Sequence, residues 1–410
     1  MADNQPRRAT TVLALFALMS AQMLVVAGAL SIPVLAQSID GTLGATEGWI
    51  GIYGSVLFLI AALAAQTSSW FVGRFGGFRV SQFTLMLTGL GLAAIWIDQS
   101  IGLYVGAVLF GFAYSQSNTA SGSLLSNLDL GAHRNLVFSI KQTAVPLGGI
   151  LAASYLPFAA HTNGTEMALL GLACMCAIAW VLCECAGQFT DLHQPKSQTE
   201  PNTLKGDQPR LRVLILTFFV LAAVQLGMSV TFIGIIAPWL EITNDAATFV
   251  FGAAMFASIL LRLGLGVLAD HWGAAKVITA IKAAITLTLF TLLWLDGIAA
   301  SLASLGCIAF AFAWNGVLLA EVVRADLSPE RATSKAMTAF FLAGASSPLL
   351  IGWSANYEGG VGWVVAGLAF VCSLTLLTDA RSKSFKGPLT HGTRKSQLHA
   401  APVSPLKAKE

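Results

Sequence analysis

Residues 213–238 read VLILTFFVLAAVQLGMSVTFIGIIAP, a continuous apolar stretch without a single charged side chain. A transmembrane helix needs about 20 such residues to cross the hydrocarbon core of a bilayer. The whole chain of 410 residues has the same character, being 56% hydrophobic and only 10% charged. Soluble domains carry about 25% charged residues, so this composition indicates a protein built to lie in a membrane.

Comparable apolar stretches recur along the chain and divide it into twelve predicted spans. Because backbone polar groups find no water in lipid, each span is expected to be helical. The predicted fold class is therefore an all-α polytopic membrane protein with twelve transmembrane helices. The spans are placed near residues 11–35, 49–70, 80–97, 101–125, 138–160, 166–187, 213–238, 247–268, 276–295, 299–323, 335–353 and 361–378.

The basic residues lie on one side of these spans. All 23 Lys and Arg residues fall in alternate loops, in the two tails, or within about two helical turns of that side. The opposite loops carry acidic residues such as Asp40 and Glu241 but no base. By the positive-inside rule, we expect a multi-pass protein of the cell inner membrane with both termini cytoplasmic.

The longest polar interruption between spans, residues 188–212, has the composition of a linker and separates six spans from six. We therefore predict a cytoplasmic tail at 1–10, a first six-helix bundle at 11–187 and a linker at 188–212. A second six-helix bundle at 213–379 and a basic cytoplasmic tail at 380–410 complete the chain. The last segment is rich in Lys, Ser and Pro and is expected to be disordered.

Polar residues and glycines in the two bundles correspond at a constant offset of 197 residues, with no gap from the loop after span 2 to the start of span 5. Such a correspondence predicts two parallel halves, a plan found in many transporters. The matched pairs are Gly76 and Gly273, Arg79 and Lys276, Asn118 and Asn315, and Arg134 and Arg331.

The segment GVLADHWGAAK at residues 266–276 resembles the loop signature G-x-L-x-D-R-x-G-R-R/K of the major facilitator superfamily, with His271 in place of Arg. The matching loop after span 2 keeps Arg74, Gly76 and Arg79 of that signature. The resemblance extends over about residues 10–380. It implies two pseudo-symmetric six-helix bundles around a cavity that spans 1, 2, 4, 5, 7, 8, 10 and 11 line.

The signature loops are predicted to form cytoplasmic gates. A carboxylate at a helix end can pair with bases across the two halves, and glycines allow the tight turn. Positive-inside anchoring explains the bases equally well, and a solvated turn is the alternative for Asp270. The gate candidates are Arg74, Gly76, Arg79, Arg134, Gly266, Asp270, Gly273, Lys276 and Arg331.

Polar residues at membrane depth are costly, so those on the inferred cavity spans are candidates for substrate contact. For Lys141 the alternative is snorkelling to the cytoplasmic surface, and snorkelling is the expectation for Lys282 on span 9. Asn118 and Asn315 are either site residues or hydrogen bonds between helices. The substrate-binding candidates are Gln22, Asn118, Lys141, Gln142, Gln225, Arg262, Trp314 and Asn315.

Glu321 is the one carboxylate on an inferred cavity span, so it is the candidate for proton coupling; the alternative is a pair with Arg324 three residues on. Against it stand Lys141 and Arg262. This balance favours a small organic anion or zwitterion as the substrate of a secondary active transporter working by alternating access.

Two other functions stay open. An efflux antiporter for drugs or metabolites is suggested by QTAVPLGG at 142–149, which is similar to the antiporter signature G-P-x-x-G-G but has Val145 where that signature has Gly. A non-transporting membrane receptor or assembly factor is the alternative from a different class, since the first loop signature is incomplete.

Catalytic and cofactor chemistry is not indicated. The six His residues are scattered through loops and the tail, and the six Cys residues all lie in apolar runs, so no metal site and no enzyme are predicted. No phosphate-binding loop of the G-x-x-x-x-G-K-[ST] type occurs. The expected partners are a small-molecule substrate, the lipid bilayer and, as an option, protons. No cofactor or nucleic acid is expected, and the chain is expected to be a monomer.

Overall fold

The computed structural model describes residues 5–36, 49–97, 99–127, 140–189, 208–325 and 329–384. Every regular element within these ranges is a helix. The first half contributes α1 (Gln5–Val34), α2 (Trp49–Ala65), α3 (Gly77–Ile97), α4 (Gln99–Asn127), α5 (Ile140–Asn163) and α6 (Thr165–Phe189). A short helix, Ser68–Phe75, lies between α2 and α3.

The second half repeats this pattern. It contributes α7 (Gln208–Thr231), α8 (Asn244–Trp272), α9 (Ala274–Thr291), α10 (Gly297–Ala313 and Asn315–Ala325), α11 (Pro329–Ser354) and α12 (Gly360–Ser384). α7 continues through a π-helical turn, Phe232–Ile236, into the short helix Ala237–Trp239. Helical structure extends beyond the predicted bundle boundaries, since α1 begins at Gln5, α7 at Gln208, and α12 ends at Ser384.

Ten of the described helices are long and apolar enough to cross a membrane. The other two predicted spans are also helical: α2 is apolar but has 17 residues, whereas α4 has 29 residues and includes the polar run Tyr114–Thr119. Large apolar side chains point outward, with Phe249 75% and Ile298 84% exposed. Such a surface needs lipid around it, so the predicted all-α polytopic fold is confirmed.

The two halves meet along two helix pairs, α2 with α11 and α5 with α8. Small residues bring the first pair close together. A Cβ atom on Gly51 would lie 2.3 Å from the carbonyl oxygen of Pro348, and the Ser55 hydroxyl donates to the carbonyl of Ala345. Gly149 of α5 packs against Met255 of α8. The α2–α11 contacts lie toward the beginning of α2 and the end of α11, whereas the α5–α8 contact lies within both helices.

One expectation about the second half was wrong. Lys282 does not extend to the membrane surface, because its side chain is 0% exposed and lies between α9 and α12. Its Nζ donates a hydrogen bond to the Thr375 carbonyl at 3.0 Å. The sequence showed the depth of the lysine but not the helix that would cover it.

The two signature loops have the same backbone geometry. Gly76 and Gly273 each end a helix with positive φ, at 78° and 89°. Each donates its backbone N–H back into the preceding helix, to Val72 at 2.9 Å and Ala269 at 3.0 Å. Residues with side chains rarely adopt this conformation, so glycine is required at both equivalent turns.

We expect Gly273→Ala to lower the free energy of unfolding by about 1–3 kcal/mol, because alanine is strained at this φ although the space around it is open. The control Gly264→Ala lies in helical backbone with equally open surroundings and should be neutral or slightly stabilising. Thermal unfolding of the detergent-solubilised proteins measures both. Equal melting temperatures for the two variants would contradict this account.

Candidate functional site

Two amide pairs lie at corresponding places in the two halves. In the first half, Gln22 Nε2 of α1 donates to Asn118 Oδ1 of α4 at 2.7 Å. In the second half, Asn315 Nδ2 of α10 donates to Gln225 Oε1 of α7 at 3.2 Å. Both glutamines are 1% exposed. The repeat seen in sequence is therefore also a repeat of interactions, and each asparagine is a helix–helix hydrogen-bonding residue, one of the two roles expected.

Arg262 of α8 connects the two halves. Its side chain is 5% exposed. One terminal nitrogen, Nη1, donates to the carbonyl of Gln142 in α5, and the other, Nη2, donates to the carbonyl of Phe312 in α10. A buried guanidinium needs acceptors for its N–H groups, and these two carbonyls accept from its two terminal nitrogens, one carbonyl in each half. Of the predicted site residues, Gln142 thus contributes its backbone to this junction.

Lys141 lies beside this junction. It is 2% exposed, so it does not snorkel to the surface in this conformation. The next residue, Gln142, accepts the Arg262 hydrogen bond through its carbonyl, so Lys141 directly precedes the junction in the chain. Two basic side chains are therefore buried at this junction of the halves.

A row of aromatic rings runs from the first half into the second. Tyr114 contacts Phe58 and Phe341 edge-on, with ring centroids 6.0 and 5.9 Å apart. Phe341 and Phe340 are 5.4 Å apart, and Trp314 lies 6.4 Å from Phe340. The row ends at Phe218, which is 4.7 Å from Trp314. Of these residues only Trp314 is among the substrate-binding candidates predicted from sequence. The Phe-Phe pairs at 218–219 and 340–341 are the sequence feature that could have indicated the others.

Several buried polar atoms of the candidate residues and their neighbours have no hydrogen-bond partner among the described residues. A buried polar group left in this state costs about 1–3 kcal/mol. The atoms are Gln22 Oε1, Ser115 Oγ, Gln116 Oε1, Gln225 Nε2, Arg262 Nε, Trp314 Nε1 and Asn315 Oδ1.

Glu321 forms an ion pair with a residue that the sequence did not suggest. Its Oε2 lies 2.6 Å from Nη2 of Arg210, at the beginning of α7. The carboxylate is largely buried, whereas Arg210 is half exposed. The side chain of Arg324, the partner considered from sequence, lies outside the described residues.

The gate candidates are placed as follows. Arg79 pairs at 2.7 Å with Glu184 of α6, in its own half. Arg74, Asp270 and Lys276 are exposed, and within the described ranges none of them forms an ion pair. Gly266 faces open space. Arg134 and the side chain of Arg331 lie outside the described residues. The gate roles stay predictions.

A family model described as the Major Facilitator Superfamily matches residues 10–348. The chain belongs to the Major Facilitator Superfamily. It is accordingly a multi-pass membrane transporter with a small-molecule substrate, and the superfamily is one of transporters rather than enzymes. A search of curated proteins found no match.

We expect Arg262→Gln to loosen the junction between α5 and α10, because two carbonyls lose a charged donor. Hydrogen bonds to charged groups contribute about 1.5–3 kcal/mol, so local amide exchange near Gln142 and Phe312 should become about ten- to hundredfold faster. Hydrogen-exchange mass spectrometry measures this. Arg212→Gln, an exposed arginine of α7, is the control and should leave exchange unchanged. Unchanged amide exchange in Arg262→Gln would show that Arg262 does not hold this junction together.

Proposed function

We propose that this protein is a secondary active transporter that moves a small organic anion or zwitterion by alternating access. The two bundles, residues 11–187 and 213–379, would rock against each other in the cell inner membrane, with both termini cytoplasmic and the chain a monomer. The observation that carries the proposal is the burial of two basic side chains, Lys141 and Arg262, at the junction of the two halves.

The charge balance supports an anion. Glu321 is the buried carboxylate of the described cavity helices, and its charge is already matched by Arg210 at 2.6 Å. Lys141 and Arg262 therefore place two basic side chains in a low-dielectric environment, and Arg262 is bonded to neutral carbonyls. An organic cation would meet repulsion there, whereas a carboxylate would supply the missing charge.

The burial of the candidate site residues supports alternating access. Gln22, Gln225 and Trp314 are buried, so a substrate reaches them only after the halves separate. Contacts between the halves are concentrated in α2 with α11 and α5 with α8, which are the seams that would open. Arg262 spans one of these seams, so exchange of its carbonyl acceptor for a substrate anion would link binding to opening.

We expect Lys141→Gln and Arg262→Gln each to lower uptake of an organic anion into proteoliposomes by about ten- to hundredfold, because each removes a charged hydrogen-bond donor. Lys335→Gln, an exposed lysine at the start of α11, is the matched control and should transport normally. Normal transport by both site variants, with uptake of a cation abolished by Glu321→Gln, would overturn the anion assignment.

Proton coupling would act through Glu321. A proton on this carboxylate neutralises it and removes the attraction to Arg210, so protonation and the α7–α10 ion pair exclude each other. A buried carboxylate is a better coupling group than an exposed one, since burial limits its contact with bulk solvent. The ion pair would then couple the protonation state of Glu321 to the beginning of α7, where Arg210 lies.

We expect Glu321→Gln to abolish accumulation driven by an imposed pH gradient while keeping substrate exchange at equal concentrations, because exchange needs no net proton movement. Radiolabelled-substrate assays in proteoliposomes measure both. Glu184→Gln removes the exposed Arg79 ion pair in the same way and should keep both activities. Retained accumulation in Glu321→Gln would remove this residue from the coupling mechanism.

The aromatic row from Phe58 to Phe218 favours drug or metabolite efflux as the second candidate, since such rings bind amphiphilic molecules. A deletion strain that becomes more susceptible to a compound panel would favour efflux over uptake. A third alternative, a receptor without transport, predicts binding but no flux in proteoliposomes.

A further inference from the structure

The glutamine of each amide pair uses only part of its hydrogen-bonding capacity. Gln22 and Asn118 share one hydrogen bond, and so do Gln225 and Asn315. Because every amide side chain has both a carbonyl and an NH₂ group, each glutamine keeps one polar end for another partner. In the structure these are Gln22 Oε1 and Gln225 Nε2, one from each half, and both are buried.

Trp314 adds a third group of the same kind. Its ring is 0% exposed and packs edge-on against Phe218, but its indole N–H has no partner among the described residues. Buried indole N–H groups normally find an acceptor. Trp314 precedes Asn315, so its N–H belongs to the same stretch of α10 as the second amide pair.

The second amide pair and the indole belong to the segment of α10 that also binds Arg262. Phe312, whose carbonyl accepts from Arg262, precedes Trp314 by two residues and Asn315 by three. Asn315 in turn binds Gln225 of α7. The cationic junction and the neutral hydrogen-bonding groups of the second half are therefore held by one short stretch of chain.

We propose that the site is selective for a short carboxylate that also carries a neutral hydrogen-bonding group, such as a hydroxyl or amide. The carboxylate would bind at Lys141 and Arg262, and the neutral group would bind the free polar ends of Gln22, Gln225 and Trp314. This inference rests on the proposed anion transport and adds the determinants of specificity.

Selectivity follows from the cost of unsatisfied groups. A carboxylate of the same length without the hydroxyl leaves the glutamine and indole groups unpaired in a buried place. A site built to hydrogen-bond a hydroxyl therefore discriminates strongly against the analogue that lacks it. A purely cationic site would bind both compounds equally, since their charges are identical.

Matched pairs of acids test the proposal. Binding of L-malate against succinate, and of L-lactate against propionate, is measured by calorimetry on the purified full chain. We expect the hydroxylated member of at least one pair to bind about tenfold or more tightly, as expected for one satisfied buried group. In Gln225→Met, Gln22→Met or Trp314→Phe, that preference should fall below about threefold while the affinity for the other acid changes little.

Ser304→Ala is the control for this experiment. Ser304 lies on α10, is 0% exposed and also has an unpartnered hydroxyl among the described residues, but it is located nearer the start of the helix. Its removal should leave the preference intact. Because the readout is a ratio of two affinities in the same protein, partial loss of folded protein does not imitate the predicted result.

The outcomes separate this inference from the proposed function. Equal binding of both members of each pair, or a preference that persists in all three variants, overturns the hydroxyl determinants but leaves anion transport standing. Failure of all four acids to bind overturns the specificity proposal, and binding of tetraethylammonium in their place would overturn the anion assignment as well.

Discussion

The buried guanidinium of Arg262 is the interaction on which the account of this protein depends. A charged group at this depth persists only when the surrounding structure supplies acceptors or a counter-ion. Here the acceptors are backbone carbonyls from α5 and α10, one in each half of the chain. The same contacts therefore satisfy both terminal nitrogens of a costly group and join the two halves. A substrate anion that binds Arg262 would compete directly with this closure.

The internal repeat gives the centre its remaining features. The two Gln–Asn pairs tie α1 to α4 and α7 to α10, and the two positive-φ glycines form equivalent turns at the ends of the short helix and α8. The buried charged residues do not follow the repeat. Arg262 belongs to the second half, Lys141 to the first, and Glu321 pairs within the second half. The scaffold is symmetric, whereas the buried charged residues are specific to each half.

Much of the architecture is predictable from sequence because the relevant signals are local. Apolar stretches predict the helices, and a fixed offset relates Gly76 to Gly273 and Asn118 to Asn315. The partners of charged residues are a different matter. The Arg210–Glu321 pair joins residues 111 apart in the chain, so no periodicity could reveal it. The burial of Lys282 likewise depends on α12, which covers it from a distant part of the sequence.

The central claim is that the junction of the halves is an anion-binding centre. Its most direct test is a ligand-stabilisation screen of the purified chain against organic anions, zwitterions and cations of matched size, since a true ligand raises the melting temperature by mass action. The account predicts that anions or zwitterions stabilise the wild-type protein and that Arg262→Gln largely removes the effect. Stabilisation by cations alone, unchanged in that variant, would contradict it.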